Sequence, residues 1–252
     1  MSYKNPFTRF LWRKDLIKRI QVRFNSYRRK LTKSELVDLA ALFEGKPPQV
    51  IFDVGANVGF LTWHFRRTFS QAMIYAFEPD PVPRRTLESA HLHDPQVRIF
   101  PMAAADQNGE FTFVQRSVSC NSSLMQAADR SGGLGEHAIQ VQARTLDHFC
   151  TEHAIPHIDL LKIDTEGADL LVLQGAKNLL KTKAIDAVML EVFFLPTYQQ
   201  QATFDEIAGF LRGYGYGLFN FYAGRETAHG QVCYGNAIFV SQHLQHPLVP
   251  SR

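Results

Sequence analysis

The stretch Val50-Ile51-Phe52-Asp53-Val54-Gly55-Ala56-Asn57-Val58-Gly59 decides the fold. A short apolar run suited to a buried strand enters a glycine-spaced turn, and the turn opens a helical pattern over residues 58–69. Gly55 and Gly59 let backbone come close to a ligand, and amides at a helix start favour an anionic group such as a carboxylate. A tight structural turn with no ligand is the bland alternative.

A dinucleotide site is the sharper rival, and two details argue against it. The spacing Gly55-x-Asn57-x-Gly59 is not the G-x-G-x-x-G that makes room for a pyrophosphate. Asp53, two residues before the first glycine, would also repel one. A carboxylate there suits a ligand carrying an ammonium group, such as the amino-acid end of S-adenosylmethionine.

Outward from this turn, apolar runs and helical patterns alternate. Strands are predicted over residues 72–77, 97–101, 158–163 and 184–192, and helices over 82–92, 168–180 and 203–214. Aromatic-rich runs over 216–222 and 234–240 close the chain as two further strands. Such alternation implies right-handed crossovers and an α/β fold, with a parallel sheet covered by helices on both faces and an antiparallel pair at the end. Residues 110–142 break the rhythm. Phe111, Phe113, Ile139 and Val141 alternate around a middle rich in Ser, Gly and Asn, which reads as an inserted hairpin or substrate-side loop.

Before the turn the chain has another character. Residues 1–33 carry eleven Lys and Arg against the single acid Asp15, so an overall charge of +3 leaves about −7 for the remaining 219 residues. Phe7, Phe10, Leu11, Ile17, Ile20, Phe24 and Tyr27 recur at helical spacing among the basic residues. This basic amphipathic helix, across residues 7–30, suits an anionic membrane surface or a partner protein, and packing on the domain with a solvated basic face is the competing arrangement. A second helix over 34–43 ends at Gly45, and Pro47-Pro48 is read as a boundary. The expected organisation is a basic helical segment over 1–46, a main domain over 47–243 and a tail over 244–252.

A chain of 252 residues with 45% apolar and 20% charged composition supports one main α/β domain. Its acidic body argues against a general nucleic-acid-binding surface. Cys120, Cys150 and Cys233 are too few and too scattered for a disulfide framework or a zinc-ligand spacing. No apolar run approaches the roughly 18 residues of a spanning helix, and Lys4, Arg9, Arg13 and Lys14 interrupt the place of a signal peptide. A cytoplasmic protein is expected, with peripheral contact at the inner membrane surface open to the basic helix.

Acids recur at the predicted strand ends. Glu78, in Ala76-Phe77-Glu78-Pro79-Asp80, lies about 20 residues beyond the glycine turn, where sheets of this kind place an acceptor for ribose hydroxyls. Asp106, in Ala104-Ala105-Asp106-Gln107-Asn108-Gly109, is an acceptor for an adenine amino group or simply an Asx-turn residue. Leu161-Lys162-Ile163-Asp164-Thr165-Glu166-Gly167 brings two acids to one strand end, and Glu191 follows Val188-Met189-Leu190 on the next. Asp164 or Glu166 could instead cap the helix that starts near Ala168. The ten histidines include the close pairs His91/His93 and His153/His157 but no HExxH-like signature. Aromatic stretches at Phe193-Phe194 with Tyr198 and at Phe219–Tyr222 suit a sugar ring, although half of such side chains in strands belong to the core.

Taken in order, these runs resemble the FkbM family of S-adenosylmethionine-dependent methyltransferases over roughly residues 49–241. The resemblance implies a Rossmann-like class I methyltransferase fold, with a seven-stranded, mostly parallel sheet whose last strand is antiparallel. It implies O-methylation of a hydroxyl on a sugar, glycoconjugate or small natural product, so the expected partner is a small-molecule or carbohydrate acceptor. It carries over Asp53, Gly55, Asn57 and Gly59 as cofactor contacts, Glu78 on ribose and Asp106 near adenine. Asp164 counts both with these contacts and, beside Glu166 and Glu191, among the candidate general bases. Asp164 and Glu191 could alternatively hold a divalent cation that lowers the hydroxyl's pKa. The other readings open to the sequence are a nucleic-acid methyltransferase gripping phosphate with the basic arm and a noncatalytic cofactor-binding module.

Overall fold

The computed structural model describes residues 33–115, 123–124, 137–195 and 201–244. The expected basic helix over residues 7–27 and the tail beyond residue 244 lie outside them. Within them, helix α1 (Lys33–Leu42) precedes strand β1 (Val50–Val54), α2 (Phe60–Thr68), β2 (Met73–Phe77), α3 (Pro81–Ala90), β3 (Val97–Phe100) and the short β4 (Ala103–Ala104). There follow β5 (Gly109–Gln115), β6 (His137–Arg144), α4 (Leu146–Glu152), β7 (Ile158–Ile163), α5 (Asp169–Gln174) and α6 (Lys177–Lys181). The chain continues through β8 (Ile185–Phe193), α7 (Phe204–Gly213), β9 (Tyr216–Glu226), β10 (Val232–Ser241) and a 3₁₀ turn over Gln242–Leu244.

Seven strands form one sheet in the order β3-β2-β1-β7-β8-β10-β9. β1, β2, β3, β7 and β8 pair in parallel, and β10, the last in sequence, runs antiparallel between β8 and β9. This is the expected Rossmann-like α/β sheet with its antiparallel closing strand. β7 and β8 are buried at every position because helices cover both faces, which is why they read as continuous apolar runs. On one face Phe52, Phe77 and Leu161 pack on Phe149 of α4 and on α5, α6 and α7; on the other Ile51, Ile74, Leu160 and Met189 meet Leu61 and Phe65 of α2.

Two boundaries differ from the sequence expectation. The helix predicted over 168–180 is two helices, α5 ending at Gln174 and α6 starting at Lys177; at Gly175 between them a Cβ would stand 2.0 Å from the Ala105 carbonyl oxygen, so the chain passes there only as glycine. Pro47-Pro48 does not set α1 apart from the body. Leu39 and Phe43 are buried in the same core as Ile51 and Ile74, and the fully buried Glu35 accepts a hydrogen bond from Asn236 of β10 at 2.7 Å.

Within residues 110–142 the described residues include two paired strands. β5 and β6 pair antiparallel, and β4 joins β6 to make a separate three-stranded sheet. Among the described residues no helix is long and apolar enough to cross a membrane.

Candidate active site

At the carboxyl end of the sheet, β1 and β7 face each other with Asp53 opposite Lys162 in the register. Both side chains point to the α2 face by strand alternation and both are buried. The Lys162 ammonium lies 2.9 Å from Asp53 Oδ1 and donates to the carbonyl oxygens of Val54 and Gly55 at 3.2 and 3.0 Å. Thr62 of α2 donates its hydroxyl to Asp53 Oδ2 at 2.6 Å. Burial works to strip Lys162 of its proton, but the surrounding carboxylates of Asp53, Asp164 and Glu78 prevail and raise its pKa above that of an ordinary lysine. The ammonium that Asp53 faces is therefore the chain's own.

The turn above this pair is self-bonded. Gly55 and Ala56 both donate to the Phe77 carbonyl at 3.0 Å, Asn57 donates its amide to Glu78 Oε2 at 2.6 Å, and the Val58 amide is taken by the Asn57 side chain. Gly59 donates to the Ala56 carbonyl. This corrects the expectation that free amides of the turn await an anion: those of residues 55–59 have internal partners. The start of α2 has no side-chain cap at Gly59.

The two glycines also have a different first reason than ligand approach. Gly55, at φ 73°, presses on β7's turn so closely that a Cβ would stand 2.0 Å from the Asp164 carbonyl oxygen, and at Gly59, φ 83°, it would meet Leu87 at 2.5 Å. Asn57 tolerates its φ of 54° better than most residues. Glu166 has no such tolerance, yet it is held at φ 53° in the β7 turn, the kind of backbone outlier that collects at functional sites.

Glu78, buried at the end of β2, ties the two loops together. Its Oε2 accepts from Asn57, its Oε1 accepts from the Asp80 amide at 2.8 Å, and carboxylate oxygens so placed still have lone pairs to offer hydroxyl groups. Asp80 caps α3 through the Val82 amide and accepts from Gln115 of β5 at 2.7 Å. On the other side Ser123 donates its hydroxyl to the Thr165 carbonyl at 3.0 Å. The inserted hairpin thus touches both rims of the cleft. Of that insert's Ser, Gly and Asn-rich middle, only Ser123 and Leu124 belong to the described residues.

The strand-end acids come together in part. The β7–β8 register places Asp164 level with Glu191, and Glu191, buried, pairs with Asn236 of β10. Asp164 and Glu166 are half-buried on the turn between. Neither caps the following helix. That helix has no side-chain cap at Ala168; Asp169 in its first turn, a buried residue to which the sequence reading assigned no role, instead ties down the turn before it, its carboxylate accepting from the Thr165 and Gly167 amides, both at 3.3 Å. Asp106 joins none of these groups; it lines a separate depression with Thr145, Asp147, Gln174 and Gly175. As for a cation at Asp164 and Glu191, no third His, Cys, Asp or Glu among the described residues completes a ligand cluster there. No step is derived through a metal at that place.

The aromatic stretches divide between core and surface. Phe221 and Tyr222 pack on opposite faces, and the Tyr222 hydroxyl donates to Asp38 of α1. Phe194, 37% exposed, stacks on Phe204 at 5.0 Å and meets Phe221 edge-on, while Phe219 remains 38% exposed. Tyr198 lies outside the described residues.

A parallel sheet with its glycine turn, an acid at the end of β2 and acids on the two central strands defines a Rossmann-like methyltransferase domain. The model of the FkbM methyltransferase domain family matches residues 53–218, and the chain belongs to that family. The expected cofactor, S-adenosylmethionine, is the one that this membership implies. The chain is 31% identical to the 2-O-methyltransferase NoeI of Sinorhizobium fredii over 56% of its own length and 63% of the relative's. It is 27% identical to the 31-O-demethyl-FK506 methyltransferase FkbM of Streptomyces tacrolimicus, over 69% and 74%, and 24% identical to the hexuronic acid methyltransferase AglP of Haloferax volcanii, over 60% and 59%. The match thus spans less than two thirds of NoeI and AglP.

Burial pushes the Asp169 carboxyl up to about 6, and the Asp164 charge adds to this, against its two backbone donors. A folded-state pKa above the ordinary 3.8 means that folding takes up a proton between these values, so the contribution is full below about 3.8 and lost as pH rises through about 6. Urea unfolding of wild type and Asp169→Asn across this range should show wild type losing stability relative to the variant as pH rises, by up to about 1.4 kcal/mol per pH unit. A gap that does not change with pH would mean that Asp169 keeps an ordinary pKa.

Proposed function

We propose that this protein transfers a methyl group from S-adenosylmethionine to a hydroxyl of a sugar, glycoconjugate or small natural product. The observation that carries the reading is the self-bonded turn of residues 55–59, joined through Asn57 to Glu78, within an FkbM methyltransferase domain. Relatives named for a 2-O-position, an FK506 oxygen and a hexuronic acid support an oxygen acceptor.

In this reading Asn57 and the uncapped start of α2 hold the amino-acid end of the cofactor, and Glu78 holds its ribose. Asp53 acts from below through Lys162, as a positioning residue, and Asp106 is kept as a more distant adenine partner. The bound cofactor supplies a methyl group on a sulfonium, ready for in-line displacement. The residues of this chain have to align the acceptor and take its proton. A sugar hydroxyl is a poor nucleophile until that proton leaves, and Asp164 on the β7 turn is the first candidate to accept it, with Glu166 and Glu191 beside it. The exposed Phe194 and Phe219 offer apolar faces for a ring, and the hairpin that contacts Asp80 and Thr165 narrows the entrance against water.

Calorimetry should give S-adenosylhomocysteine a saturable one-site isotherm and NAD none. With a panel of hydroxylated acceptors, Asp164→Asn should lower turnover by about 10²–10⁴-fold while cofactor affinity stays within a few-fold. Undiminished turnover would remove Asp164 from the chemistry, and NAD binding in place of the homocysteine product would overturn the assignment.

The proposal also places the protein in the cytoplasm and takes residues 7–30 as its contact with an anionic membrane surface. Sedimentation with phosphatidylglycerol vesicles should decrease when residues 1–33 are removed. Equal sedimentation of both forms would contradict it.

A further inference from the structure

At the opposite edge of the sheet from the glycine turn, three segments bring imidazoles and carboxylates together. His157 precedes β7, Asp159 and Asp186 are the second residues of β7 and β8, and His243 lies in the turn after β10. The register pairs Ile158 with Ile185 and Leu160 with Ala187, so Asp159 and Asp186 stand side by side on one face, both buried. Like charges in adjacent positions of a sheet are unfavourable unless a cation answers them. We propose that His157, Asp159, Asp186 and His243 form a binding site for one divalent transition-metal cation, best matched by zinc.

The distances carry the argument. His157 Nε2 lies 3.1 Å from Asp186 Oδ1 and 3.9 Å from Asp159 Oδ1. Ligand atoms about 2.0–2.1 Å from a tetrahedral zinc are roughly 3.3 Å from one another, and the two observed separations bracket that value. Yet His157 Nε2, a buried atom, makes no hydrogen bond among the described residues. It sits between two carboxylate oxygens at metal-ligand spacing without using either as an acceptor.

Asp159 is already oriented for the purpose. Its Oδ2 is held by the amides of Gln49 and Val50, both at 2.9 Å, which leaves Oδ1 toward His157. His243 Nε2 is 2.6 Å from Asp186 Oδ1, a hydrogen-bond distance that would open by less than 1 Å on ligation. Its Nδ1 lies 3.1 Å from the Ser241 hydroxyl, the kind of outer partner that fixes a ligating imidazole.

Two imidazole nitrogens with carboxylate oxygens favour zinc, cobalt or nickel over magnesium and calcium, which prefer all-oxygen sets. The cation would fasten the start of β7 and β8 to the chain after β10. It would be structural, since the acids of the cleft lie at the other end of these strands.

The test uses the full-length chain freed of metal by chelator and dialysis. Cobalt(II) should bind with one equivalent and develop the visible absorption of tetrahedral coordination, zinc should displace it, and zinc but not magnesium should raise the melting temperature. His157→Ala, a change at a partly exposed side chain, should weaken cobalt binding by at least 100-fold while S-adenosylhomocysteine affinity stays within a few-fold, and Asp186→Asn should do the same. Absence of stoichiometric uptake at micromolar cobalt would overturn the proposal. So would uptake equal in wild type and His157→Ala, which would assign the metal to other histidines.

Discussion

A lysine ammonium buried beneath a glycine turn sets the geometry from which the rest of the site follows. Lys162 is almost wholly removed from water, and an isolated charge there would be expensive to keep. It keeps its charge because Asp53 lies opposite on the neighbouring strand, and it spends its remaining hydrogens on the last carbonyl of β1 and the first of the turn. Buried ion pairs of this kind contribute little net stability compared with apolar residues of the same size. What this one contributes is position. With Val54 and Gly55 held from below, Gly55 is pressed on the Asp164 carbonyl, Asn57 is delivered to Glu78, and the turns after β1, β2 and β7 become one rigid rim.

Much of this was legible in the sequence, for a physical reason in each case. Strands buried on both faces are continuous apolar runs and surface helices keep a period near 3.6, so alternation along the chain gave the sheet and its closing antiparallel strand. The glycine turn was visible because left-handed backbone is costly for other residues. Its reason was not. The atom that excludes a side chain at Gly55 is 109 residues away, and so is the Lys162 that Asp53 faces, in a pairing that only β1–β7 adjacency creates. Asp169 was missed because its partners are the amides of Thr165 and Gly167, which only the folded turn after β7 brings back to it. Asp106, read as an adenine acceptor or an Asx-turn residue, lies beside Thr145, Asp147, Gln174 and Gly175, neighbours that the sequence alone does not reveal.

The two edges of the sheet divide the work between them. At the carboxyl ends of the parallel strands the chain gathers the glycine turn, Glu78 and the acids Asp164, Glu166 and Glu191, with the strands β5 and β6 and the aromatic ends of β8 and β9 beside them, where the proposed function puts the acceptor. In the proposed function the donor side is built from backbone and buried charge, and the acceptor side from loops and exposed rings. At the opposite edge, His157 and His243 converge on Asp186 from segments that the sequence separates by 86 residues. Spacing pairs His157 only with His153, and the sheet is what brings it together with His243.

If the Asp53–Lys162 pair holds the turn in the shape that binds the cofactor, a double-mutant cycle read by calorimetric titration of S-adenosylhomocysteine will show it. Lys162→Met and Asp53→Asn should each weaken binding by at least 10-fold in chains that still melt cooperatively. The double variant should lose clearly less than the product of the two. Single variants that are folded and bind as tightly as wild type, or losses that simply multiply, would contradict it.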